Sequence, residues 1–102
     1  MPRQYEHPDV DQIQLTEVLA ALGDPVRLGM VRVLASDAEV SSLELSLRMP
    51  KSTVAHHTKT LREAGVIHIR AEGRHGWISL RREALQQRFP GVLEAILAAA
   101  AE

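Results

Sequence analysis

The sequence, 102 residues long, contains no cysteine. Disulfides, zinc ribbons, thiolate metal sensing and cysteine nucleophiles are excluded with it. No apolar run approaches the ~18 residues of a membrane-spanning helix, and the start of the chain, MPRQYEHPDVDQ, has no signal-peptide core. A cytoplasmic protein with no membrane partner is therefore expected. Net charge is nearly absent too, at −1, which argues against a general nucleic-acid coat. There is no phosphate-binding loop, no nucleophile with a plausible base and no carboxylate pair, so an enzyme is not expected. Ser52, Thr53 and His56 share one helical stretch but have no orienting acid. No internal repeat is present, and the one biased segment is Ala98 to Ala101.

What is present reads as one folded domain, with 45% apolar and 25% charged residues. A chain of this length buries roughly two-thirds of its unfolded surface, so a partner subunit would add useful cover. The small net charge hides a division along the chain. Residues 1–47 carry three basic and eight acidic side chains, residues 48–82 eight and two, and residues 83–102 one and three. The middle third is thus positive between two negative flanks, as expected when a scaffold presents one phosphate-facing surface.

Residues 1–10, with Pro2 and Pro8 and little apolar content, read as a flexible N-terminal arm; residues 11–102 form the domain. Ile13, Leu15, Val18, Leu19 and Leu22 give a helix from about Asp11 to Leu22 with a broad apolar face. Gly23-Asp24-Pro25 stops that helix and starts the next, with Asp24 as N-cap and Pro25 at the first helical position. The second helix runs to about Ala35 with Leu28, Val31, Leu34 and Ala35 inward, and Gly29 costs it about 1 kcal/mol against Ala. Ser41 and Glu44 fit a capping box opening a short third helix, with Leu43 and Leu47 inward. Toward the C-terminus a short helix over Arg81 to Arg88 is broken at Pro90-Gly91. A final helix follows, with Val92, Leu93, Ile96 and Leu97 inward and Phe89 near its start.

Between these lies the stretch PKSTVAHHTKTLREAG, Pro50 to Gly65. Val54, Leu61 and Ala64 recur at helical spacing, leaving Lys51, Ser52, Thr53, His56 and Lys59 free to meet an acceptor-rich partner. After Gly65, Ile67 and Ile69 alternate with His68 and Arg70, and Ile78 and Leu80 with Trp77 and Ser79, the pattern of a hairpin with one buried face. Pairing Ile69 with Ile78 and Ile67 with Leu80 sets Arg70 opposite Trp77 on the solvent face, in reach of a cation–π contact. Arg74 and His75 stand at the glycine-flanked tip.

The words STVAHH, LREAGVI and EGRHGWISL, with GDPVRLGMVRVL and the Ser41 to Leu47 segment, resemble the arsenical-repressor (ArsR) family of small bacterial transcription factors over Leu19 to Leu80. The resemblance implies a mainly α fold with a small β-hairpin wing, a winged helix-turn-helix dimerised through its first and last helices. Ile13, Leu15, Leu19, Phe89, Val92, Leu93, Ile96 and Leu97 are the implied dimer contacts. The turn Arg48-Met49-Pro50 departs from the family's Gly-apolar-Ser: Arg48 would have to take a left-handed conformation, Pro50 offers no capping oxygen, and Ser52 is expected to cap instead. Thr58 stands where relatives have an apolar residue, which implies looser packing beneath the helix.

The expected function is sequence-specific binding of double-stranded operator DNA by a homodimeric repressor. Ser52, Thr53 and His56 would approach base edges, with Arg48, Lys51, Lys59, Arg70, Arg74 and His75 completing the interface. Protonation of His56 and His75 would raise affinity as pH falls from about 7.5 to 6. The competing expectation is a winged-helix module that docks on protein. No cofactor or metal is expected, because the final helix has neither His nor Asp, and His56 and His57 point ~100° apart. His57 is expected along the domain seam. The effector is not written in the sequence.

Overall fold

In a computed structural model, residues 5–36 and 38–101 are described, and they build six helices and three short strands. Residues 1–4 of the expected arm, with Pro2, lie outside them. The order is α1 (Leu15–Leu22), α2 (Pro25–Ser36), β1 (Val40–Ser41), α3 (Ser42–Ser46), α4 (Lys51–Ala64), β2 (Ile67–Glu72), β3 (His75–Leu80), α5 (Arg82–Arg88) and α6 (Val92–Ala100). The mainly helical winged fold is as expected.

The expected first helix is shortened from its start. Val10–Gln12 form a 3-10 turn, and Ile13 then takes extended backbone, φ −69° and ψ 126°, before α1 begins at Leu15. Ile13 is 1% exposed and sits over Gly65 at the end of α4. Burying this side chain against the end of α4 outweighs continuing the helix through it. At the next junction the capping reading holds: the Asp24 carboxylate accepts from the Val26 and Arg27 amides at 2.8 and 3.1 Å. The Arg27 amide does most to hold that carboxyl below its usual range, against desolvation, with the Val26 amide and the Arg27 and His57 charges adding to the lowering.

On α2, Val31 and Leu34 are buried together with Met30. The Ser41 hydroxyl accepts from the Leu43 amide and opens α3. With only five residues, α3 turns Leu45 to the core, while Leu43 and Leu47, expected inward, are 52% and 86% exposed. A single turn has no second residue on its buried face. The following turn does not need a left-handed Arg48: among the described residues positive φ occurs at glycines alone. Pro50 is the N-cap of α4 with no side-chain cap, and Ser52 does not supply one. The Pro50 carbonyl instead accepts from Thr53 and Val54. Helix α4 buries Val54, Thr58, Leu61 and Ala64 and stops at Gly65, φ 90°, a left-handed cap that glycine adopts without a Cβ penalty.

Strands β2 and β3 pair in the expected register, Ile67 with Leu80, Ile69 with Ile78 and Arg70 with Trp77. The hairpin is extended to a three-stranded antiparallel sheet of order β1-β3-β2, because Val40 pairs with Ile78 and Ser41 with Trp77. The Ser42 hydroxyl accepts from the Gly76 amide at 3.1 Å, so α3 and the wing are tied directly. The core runs from Ile13, Val18 and Leu22 through Val31, Leu61, Ile67 and Ile78 to Leu85 and Leu93.

Residues 5–10 of the expected arm are tied to the domain by hydrogen bonds. Arg62 Nη1 donates to the Glu6 carbonyl at 2.6 Å, Arg81 Nη1 to the Pro8 carbonyl at 2.8 Å, and the Ile69 amide to His7 Nε2 at 3.0 Å. Main-chain carbonyls and one imidazole hold the segment, which needs none of the apolar content used to recognise an ordered segment.

Candidate nucleic-acid interface

A groove of about 500 Å³ opens between α3, α4 and the wing. Its floor is Val54, Thr58, Ile69 and Ile78, and its rim carries Lys51, Lys59, Arg62, Arg74 and His75. None of the described residues lining it is acidic. Lys51 and Lys59 lie two helical turns apart on one side of α4, both exposed, and Arg74 reaches the same groove from the wing tip. Four permanent cations around one concavity, with no carboxylate among them, concentrate positive potential in a chain whose net charge is −1.

Ser52 and His56 are exposed on α4 and Thr53 is half-buried there, outside the groove lining. At a spacing of four, Ser52 and His56 form a ridge next to the Lys51, Ala55 and Lys59 side. Arg48 is exposed in the turn before α4. His75 is half-buried, its ring edge-on to Trp77 at 5.9 Å. Arg70 is the exception. It lies on the sheet face opposite Ile69 and Ile78, bonded to Glu39 at 3.1 Å and Glu72 at 2.9 Å, with Trp77 at 6.0 Å. The alternation that put Arg70 outside the core also put it away from the groove, and two carboxylates occupy its guanidinium.

Sequence reasoning passed over Arg62 and Tyr5, which both line the groove. Arg62 lies one turn beyond Thr58 and shared the side of α4 that carries Lys59, so helical spacing alone could have found it. Tyr5 carries no such signal, since only tertiary hydrogen bonds bring it there. Thr58 is buried, with its hydroxyl donating to the Val54 carbonyl at 2.8 Å, so the helix itself satisfies the polar atom. His57 meets Arg27 Nη1 at 3.2 Å on the seam with α2.

The residues expected as dimer contacts divide by exposure. Ile13 and Leu93 are 1% and 4% exposed, within the core. Leu15 and Leu19 of α1 are 39% and 46% exposed, while Phe89, Val92, Ile96 and Leu97 are half-buried. Phe89, Val92 and Ile96 share a small crevice with Val18 and Leu22 of α1, which brings the first and last helices together on one side of the molecule.

Residues 22–70, spanning α2 to β2, match the helix-turn-helix domain family. The HTH-type transcriptional regulator YceK of Bacillus subtilis strain 168 is 38% identical over 89 residues, covering 84% of this chain and 88% of its own. The chain belongs to the ArsR family of winged helix-turn-helix transcriptional regulators. An HTH-type transcriptional regulator of Methanocaldococcus jannaschii is 34% identical over 59 residues, 56% of this chain and 66% of that one. Among solved structures, an ArsR-like transcriptional regulator from Rhodococcus sp. RHA1 superposes with a TM-score of 0.59 at 26% identity, covering 84% of this chain and 88% of that one. This ArsR-family chain is thus a DNA-binding transcriptional regulator. No helix of the described residues is long and apolar enough to cross a membrane.

Proposed function

We propose that the protein is a homodimeric repressor that holds an inverted-repeat operator, with the α4–wing groove as its phosphate-facing surface. The observation that carries this is the gathering of Lys51, Lys59, Arg62 and Arg74 around one concavity with no acidic side chain among its described lining residues. In this reading Lys51, Lys59, Arg48 and Arg74 neutralise phosphates, and Ser52, Thr53 and His56 meet base edges from the adjacent ridge of α4. His75 adds a donor at the wing. Arg70 is left out of the interface and serves as a brace between β2 and the Glu39 side of β1.

Pairing of two copies through Leu15, Leu19 and Leu97, flanked by Phe89, Val92 and Ile96, removes the exposed leucines of α1 from water. A two-fold dimer sets two α4 helices one DNA turn apart, ~34 Å, and the operator then takes the same two-fold symmetry. Selection of genomic fragments by the purified protein tests this directly. An inverted repeat is expected, with affinity falling steeply as salt rises and falling further on Lys51→Ala and Arg74→Ala, each of which flattens the salt slope by about one. Salt-independent binding, or no loss in either variant, would refute the proposal.

A further inference from the structure

We infer that Tyr5 is a further nucleic-acid contact, carried into the groove by the segment Tyr5–Pro8 acting as a third wall, and that His7 is the residue that positions it. The inference rests on the DNA-binding reading of the groove.

Tyr5 lines the same concavity as Lys51 and Arg74, and its ring reaches the wing near its tip: a Cβ on Gly76 would stand 4.0 Å from Tyr5 Cε2. The Arg62 guanidinium lies over the phenol ring at 5.5 Å while donating to the Glu6 carbonyl, so one groove cation clasps both the ring and the backbone that follows it. A phenol at that place offers a neutral hydroxyl to a phosphate oxygen and an apolar ring to a sugar edge, contacts that the lysines cannot make.

His7 fixes the segment two residues later. Its Nε2 accepts from the Ile69 amide at 3.0 Å, and its ring stacks on His68 with centroids 4.3 Å apart and planes 18° from parallel. A backbone amide is always a donor, so Nε2 must be unprotonated for the contact to exist. Protonation would set donor against donor. The groups facing the imidazole are His68 from β2, Arg62 from α4 and Arg81 at the end of β3. Burial first, then those three positive or titratable neighbours, lowers its pKa below the ordinary 6.5, against a raising contribution from the Tyr5 backbone. The folded segment therefore favours the neutral ring. Its hold is complete above pH ~6.5 and is lost as pH falls through the depressed value. Releasing His7 withdraws Tyr5 from the groove.

The experiment measures operator affinity by fluorescence anisotropy from pH 8 to 5.5 for wild type, Tyr5→Ala, His7→Gln and the double variant, with Lys51→Ala as reference. At pH 7.5, Tyr5→Ala should weaken binding roughly three- to tenfold without changing the salt slope, because a phenol carries no charge. The ratio of wild-type to Tyr5→Ala affinity should fall toward one as pH falls through the depressed His7 value. Any pH dependence that does not pass through Tyr5 is common to both proteins and cancels in the ratio. Gln at position 7 keeps an acceptor for the Ile69 amide but has no proton to gain, so in that background the ratio should stay flat. In the free wild-type protein, exchange of the Ile69 amide, corrected for its intrinsic rate, should accelerate over the same pH range. Wild-type affinity in Tyr5→Ala alongside impaired Lys51→Ala overturns the inference and leaves the DNA reading standing. An Ile69 amide that stays protected once NMR of the His7 ring shows it protonated also overturns it. If neither Tyr5→Ala nor Lys51→Ala changes binding, the DNA reading fails and takes this one with it.

Discussion

Replacing Gly65 by alanine tests the junction that fixes the reading helix against the rest of the domain. Gly65 has φ +90°, and a Cβ there would lie 2.6 Å from Ile13 Cγ1 and 2.9 Å from Ile13 Cδ1. The left-handed backbone costs a non-glycine residue about 1–2 kcal/mol. The clash adds about 1–3 kcal/mol of overpacking, since Ile13 is 1% exposed and has no solvent-side space to move into. The expected loss is about 2–5 kcal/mol, against a total of ~5–15 kcal/mol for a domain of ordinary stability. Urea unfolding followed by Trp77 fluorescence reads it without added probes, because the chain has one tryptophan. The two contributions separate in a double-mutant cycle. Ile13→Ala removes the clashing atoms but not the backbone strain, so Gly65→Ala should cost about 1–3 kcal/mol less in that background. A loss under about 1 kcal/mol in Gly65→Ala, or strict additivity with Ile13→Ala, would refute the claim that this contact is close and unyielding.

Gly29 has nothing within 4 Å of where a Cβ would be built, so Gly29→Ala should stabilise α2 by about 1 kcal/mol, seen as a rise in Tm of several degrees. Asp24, whose carboxyl is held below its usual range by the Arg27 amide first, contributes stability above the ordinary carboxylate pKa that is lost as pH falls through the depressed one. Asp24→Asn should therefore lose less stability than wild type between pH 5 and 3 in thermal melts. Leu19→Glu combined with Leu97→Glu should yield a monomer by analytical ultracentrifugation, with operator affinity reduced at least ~100-fold through loss of the second half-site; a dimer of unchanged mass would move the interface elsewhere. Arg70→Ala should leave operator affinity and its salt slope unchanged in the same binding assay, because its guanidinium is bonded to Glu39 and Glu72 on the far face of the sheet.

Much of the reading head could be inferred from local pattern. The Gly65 stop, the Asp24-Pro25 start and the register of Ile69 against Ile78 each depend on residues within a few positions or on period-two alternation, and each is found as expected. What escaped depends on distant partners. Strand β1 is two residues long, too short to show a period, and exists because Val40 finds Ile78. Leu43 and Leu47 are expected inward, but the five-residue α3 turns Leu45 to the core instead. Ile13 and Leu93 read as surplus apolar surface, yet the core closes over both. Arg62 and Arg81 grip carbonyls of residues 6 and 8, and a carbonyl carries no side-chain signature.

The bond from the Gly76 amide to the Ser42 hydroxyl, together with the pairing of Val40 and Ser41 on β3, means that the hairpin is no independent flap. Tip and reading helix are bolted to a common chassis within each copy. In the proposed dimer, a spacer one base pair too long or too short would have to be accommodated where the two copies meet or by twisting the duplex, and operators of incorrect length should be rejected sharply.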